Sequence, residues 1–141
     1  RFIALYMLCA DGEQRAEVYG CAADRDQAGL VFEVACDMVR MCPELEKRCL
    51  IKPSRKTIEY VPTHSKYVAL SSDVGGKSGV NVSALIFDEL WVQKSRDFFD
   101  MMTKGTSDAR NNLLHFIITT AGNDTNSICY EIHQKAEDIL A

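Results

Sequence analysis

Several common signatures are missing from these 141 residues, and each absence narrows the possibilities. The six cysteines form no C-x-x-C pair and no histidine stands near them at zinc-finger spacing, so no zinc module is predicted. Most lie in apolar runs, which predicts reduced, buried, structural thiols in an intracellular protein. No apolar run is long enough to cross a bilayer, so we expect no membrane association. The net charge of −4 offers no bulk positive field, and contact with nucleic acid would need a local basic patch.

The apolar residues that are present alternate between strand-like and helix-like spacing. The predicted elements are the end of a helix at residues 2–8, a strand at 17–23, a helix capped by Asp24 and ending before Pro43, a hairpin or meander at 57–61 and 66–70, strands at 84–87 and 113–118, and helices at 94–102 and from 127 onwards. This alternation predicts an α/β domain with a parallel sheet covered on both faces. Functional residues in such sheets gather at the carboxyl ends of the strands.

The strand at residues 84–87 is followed at once by two acids, Asp88 and Glu89. This order is typical of a Walker B motif with an adjacent catalytic glutamate. A rigid strand end would hold Asp88 where it can position Mg²⁺, and Glu89 could orient a water that attacks a phosphoryl group. Two solvated acids at the start of a loop would give the same four-residue pattern.

A second polar motif, Thr119-Thr120-Ala121-Gly122, follows the strand at residues 113–118. Its hydroxyls and backbone N–H groups could contact a phosphate and respond to its loss. A turn from strand to helix, with a threonine cap and a glycine of positive φ, would explain the same residues. Because the two motifs follow strands of one predicted sheet, we expect them to lie together and to form a nucleotide site.

The loop residues Gly75-Gly76-Lys77-Ser78 do not form a Walker A motif. The pattern G-x-x-x-x-G-K-[ST] needs glycine where Ser71 stands, and it needs a helix directly afterwards. Too few residues separate Ser78 from the next strand for such a helix. The three histidines lie far apart, and His115, inside an apolar strand, is predicted to be a core residue.

Together these motifs resemble the large terminase subunits of tailed phages. The resemblance spans nearly the whole chain in the right order, and its segments are residues 22–28, 71–73, 79–90 and 117–122. It implies an ASCE-type P-loop ATPase fold with a parallel sheet, flanking helices and a β-hairpin insertion. It also implies that residues 1–141 are part of a motor domain, incomplete at its N-terminus, with the Walker A loop upstream of residue 1 and an RNase H-like nuclease after residue 141.

The resemblance assigns a role to each matching residue. Asp88 would hold Mg²⁺, Glu89 would be the catalytic carboxylate, and the residues from Thr119 to Gly122 would couple ATP hydrolysis to DNA movement. Lys77 lies in a loop where related motors often place a basic residue that reaches a neighbouring subunit's phosphates, although a solvated loop lysine is the simpler and favoured explanation.

The implied protein is an ATP hydrolase that packages double-stranded DNA into a procapsid, in the cytoplasm of a phage-infected bacterium. Its implied partners are DNA, the terminase small subunit, the portal protein and further copies in a ring. Without a Walker A loop, the isolated chain is expected to be inactive. Two alternatives stay open: a superfamily 2 helicase core, which residues 88–91 (Asp-Glu-Leu-Trp) fit poorly, and a non-catalytic assembly module.

Overall fold

The computed structural model describes residues 2–74, 81–90, 96–104, 113–120 and 122–140. The helices are α1 Phe2–Cys9, α2 Arg25–Arg40, α3 Pro43–Glu46, α4 Arg96–Lys104 and α5 Ile128–Leu140. The strands are β1 Glu17–Ala22, β2 Cys49–Lys52, β3 Thr57–Tyr60, β4 Ser65–Ser71, β5 Ala84–Asp88 and β6 Leu114–Ile118. Single 3-10 turns follow β2, β3 and β4.

All six strands form one sheet in the order β2-β3-β4-β1-β5-β6. The strands from β4 to β6 are parallel, and β3 is antiparallel to both of its neighbours. The expected α/β fold with a mostly parallel sheet is confirmed. The predicted hairpin is also present, as β3 and β4, and it is continuous with the sheet because β4 pairs with β1 along its length.

Helix α2 shows how local sequence determines an element here. The Asp24 side chain accepts a hydrogen bond from the Gln27 backbone N–H at 2.8 Å, which caps the helix as predicted. Its buried positions recur every three to four residues and face the sheet: Ala28, Phe32, Ala35, Cys36 and Val39.

Helices cover both faces of the sheet. The apolar side chains of α1 and α2 pack on one face, and those of α4 and α5 pack on the other. Along β5, Ala84 and Ile86 belong to the first core, whereas Leu85 and Phe87 belong to the second. By the same alternation Asp88 lies on the α1/α2 side.

The structure corrects two expectations. Strand β6 was predicted to be fully buried, yet its residues are half-buried or exposed, because it is the outermost strand of the described sheet and pairs with β5 alone there. His115 is therefore an exposed strand residue and does not belong to the core. The six cysteines are free as expected, but only Cys21, Cys36 and Cys49 are buried.

Candidate functional site

The two acids follow the central strand β5, and each is held differently. Asp88 is the last residue of β5, opposite Ile118 of β6, and its half-buried side chain lines a narrow cleft below α1. Glu89 is exposed and has a left-handed backbone, with φ of 56°. A glutamate in this conformation costs on the order of 1 kcal/mol, so neighbouring structure must impose the turn.

Thr120 of the second polar motif lies directly beside Glu89. The Thr120 hydroxyl donates a hydrogen bond to the Glu89 carboxylate, with Oγ1 and Oε2 3.4 Å apart. The Thr119 hydroxyl is 3.0 Å from the Thr120 carbonyl oxygen and 3.5 Å from the Cys129 thiol of α5. The predicted convergence of the two motifs at one edge of the sheet is therefore present in the structure.

The second motif also opens onto a cavity of about 370 Å³ between the end of β6 and α5. Thr119, Thr120 and Gly122 line its polar side, and Tyr130 and His133 of α5 face them. Ala121 and Lys77, both assigned a role from the sequence, lie outside the described residues.

The position of Asp88 suits a metal ligand, because its half-buried side chain stands at the carboxyl end of a strand. Asp88 also lines a small cavity, whose wall combines the small residues Ala4 and Gly20 with larger side chains such as Ile86. Mg²⁺ at nucleotide sites is held by one or two carboxylates together with phosphate oxygens and waters. A preformed cage is not needed, and within the described part of the chain no three metal-ligating side chains cluster.

Comparison with known proteins decides the family. Residues 1–138 match the family described as terminase large subunit, ATPase domain. The chain belongs to this family. The terminase large subunit of Enterobacteria phage HK97 is 30% identical to it over 137 residues, which cover 94% of this chain and 27% of the HK97 protein. The crystal structure of the HK97 bacteriophage large terminase superposes with a TM-score of 0.81 at 25% identity, covering 97% of this chain and 29% of that one.

The chain thus spans little more than a quarter of the terminase subunit that it matches. Within the described part of this terminase ATPase chain, no helix combines the length and the apolar character needed to cross a bilayer.

Three contacts around the terminase site escaped sequence reasoning. The Asp73 carboxylate accepts a hydrogen bond from the backbone N–H of Arg25 at 3.1 Å. The Ser72 hydroxyl donates a hydrogen bond to the Ala23 carbonyl oxygen at 2.6 Å. Both contacts fix the turn after β4 to the start of α2. In addition, the Tyr67 hydroxyl lies over Gly20, 2.5 Å from the place that a Cβ would occupy. Glycine inside an apolar strand is the one signal that could have indicated this close approach.

Proposed function

We propose that this chain is the ATPase motor core of a terminase large subunit, which couples Mg-ATP hydrolysis to translocation of double-stranded DNA into a procapsid. The observation that carries the proposal is the hydrogen bond between Thr120 and Glu89 beside Asp88. It joins a carboxylate suited to activating water with a hydroxyl suited to sensing phosphate, at the carboxyl edge of a parallel sheet.

Each residue has a defined task in this proposal. Asp88 holds Mg²⁺, directly or through water, and the metal neutralises charge on the phosphate oxygens. Glu89 orients the attacking water and accepts its proton. The residues from Thr119 to Gly122 respond to loss of the terminal phosphate, since a change at Thr120 alters the position of the Glu89 carboxylate directly. Lys77 is proposed to reach the phosphates bound by a neighbouring subunit.

The proposal places these residues in a longer protein, with a Walker A loop before residue 1 and a nuclease domain after residue 141. That protein would act as a ring with the small subunit and portal, in the cytoplasm of an infected bacterium. Family membership favours this assignment over a superfamily 2 helicase. The remaining alternative is a module that contacts the packaging complex without hydrolysing ATP.

The test is DNA-stimulated ATP hydrolysis by the longer protein, compared with its Glu89→Gln variant. Glutamine keeps the shape of the side chain but cannot accept the proton, so turnover should fall by roughly 100-fold or more while ATP still binds. Glu33→Gln, an exposed substitution on α2, is the matched control and should retain full activity.

Two results would contradict the proposal. Normal turnover in Glu89→Gln would remove Glu89 from the chemistry. Absence of both nucleotide binding and hydrolysis in the unmodified protein would leave the assembly-module alternative.

A further inference from the structure

A small cavity lies behind Asp88, on the α1/α2 side of the sheet. Its volume is about 20 Å³, which is enough for a single water molecule. Most of its wall is apolar, from residues such as Ala4, Val31 and Ile86. Asp88 and Tyr67 also line it, and both carry side-chain oxygens of the kind that an ordered water needs as partners.

Tyr67 is unusual among the residues of this core. It lies on β4, two strands away from Asp88, and only 1% of its surface is exposed. Its ring leans across β1 and places the hydroxyl over Gly20, which also lines the cavity. A phenol hydroxyl can donate one hydrogen bond and accept others, so it can hold a water in addition to any other partner.

We propose that Tyr67 is a positioning residue for Asp88, acting through one water in this cavity. The water forms a hydrogen bond with the Tyr67 hydroxyl, as donor or acceptor, and donates another to the Asp88 carboxylate. This would fix the orientation of the carboxylate and leave its second oxygen available to hold Mg²⁺. The effect on Mg²⁺ rests on the proposed function, whereas the water site itself does not.

The water site is tested by crystal structures of the nucleotide-free longer protein at a resolution that shows ordered waters. The expected result is one water within hydrogen-bonding distance of both the Tyr67 hydroxyl and the Asp88 carboxylate, lost in Tyr67→Phe. Tyr60→Phe is the matched control, because it removes the same atom from the same core without touching this cavity, and it should keep the water. A dry cavity, or a water that does not contact Asp88, would overturn the proposal.

The positioning role is tested by measuring ADP affinity at increasing Mg²⁺ concentrations. Loss of an outer-shell partner typically weakens a metal site by about 10- to 100-fold, and we expect the low end of this range in Tyr67→Phe. ADP affinity in the presence of chelator should stay unchanged, as should both quantities in Tyr60→Phe. An unchanged Mg²⁺ requirement in Tyr67→Phe would overturn the positioning role. If the unmodified protein binds no nucleotide, the proposed function fails, and the crystal structures still decide the water site.

Discussion

Strands β5 and β6 carry the two halves of the candidate site, and they differ in how firmly the fold holds them. They pair in register from Ala84 with Leu114 to Asp88 with Ile118. In β5 the four residues before Asp88 are buried between two neighbouring strands and two helix layers. In β6 no residue reaches that degree of burial. The acids therefore follow a strand that is firmly packed, whereas the threonines follow a strand for which we expect a lower free energy of local unfolding.

The helices that pack beside the two strands, α4 and α5, differ in the same way in how much apolar surface they bury. Phe87 of β5 packs against two rings of α4, with centroids 6.2 Å away at Phe98 and 5.0 Å away at Phe99. Helix α5, which faces Thr119, buries only Ile128. The proposed function requires one fixed side and one side that can shift. In that proposal Asp88, on the more deeply packed strand, is the fixed side, and the threonines are the side that shifts.

The largest expected effect comes from truncating matched phenylalanines on the two strands. Phe87→Ala removes a fully buried ring and its contacts with α4, and should lower the free energy of unfolding by about 3–5 kcal/mol. Phe116→Ala removes a half-buried ring from β6 and should cost no more than about 1.5 kcal/mol. Urea unfolding of the two variants measures both values, and equal losses would show that the strands are held equally.

Sequence reasoning found what depends on local spacing. The capped helix α2, the strand ending in Asp88 and the polar residues after β6 all follow from periodicity and end signals. The partial burial of β6 could not be predicted, because the sequence of an apolar strand does not show whether the strand lies at the centre or at the edge of a sheet. His115 was misplaced for that reason.

Features that depend on contacts between distant parts of the chain were also not predicted from the sequence. The contact between Gly20 and Tyr67 joins residues of different strands, so the glycine could indicate a close approach at that position but not which residue makes it. The left-handed turns at Lys56, His64 and Glu89 occur without glycine and therefore lack the usual signal. The resemblance to a known family predicted which residues form the site, but it could not give the backbone conformation of Glu89.

A smaller effect on stability is expected at the strained turn of Glu89, which follows β5. Glu89→Gly should relieve the left-handed backbone and raise the free energy of unfolding by roughly 0.5–1 kcal/mol above that of Glu89→Ala. Both variants lose the carboxylate and its contact with Thr120, so the difference between them isolates the backbone. Urea unfolding of the pair is the measurement. Equal stability would mean that the turn at Glu89 stores no strain.

The smallest effect comes from the ion pairs of Glu131, one with Arg96 of α4 and one with Lys135 of its own helix α5. Hydrogen bonds from Arg96, and then from Lys135, lower the pKa of Glu131 from about 4.5 to about 2. Because the folded-state pKa is lowered, this stabilisation is complete above about pH 4.5 and is lost as the pH falls towards 2. The difference in urea midpoint between the unmodified chain and Glu131→Gln should therefore shrink steadily on acidification below about pH 5.

This difference in urea midpoint should also shrink in high salt, because the pair of Arg96 and Glu131 is solvent-exposed and its attraction is screened. Within the described part of the chain Glu33 makes no ion pair, so Glu33→Gln should show no such trend. A constant difference for Glu131→Gln at all pH values would show that these charges do not hold α5 in place.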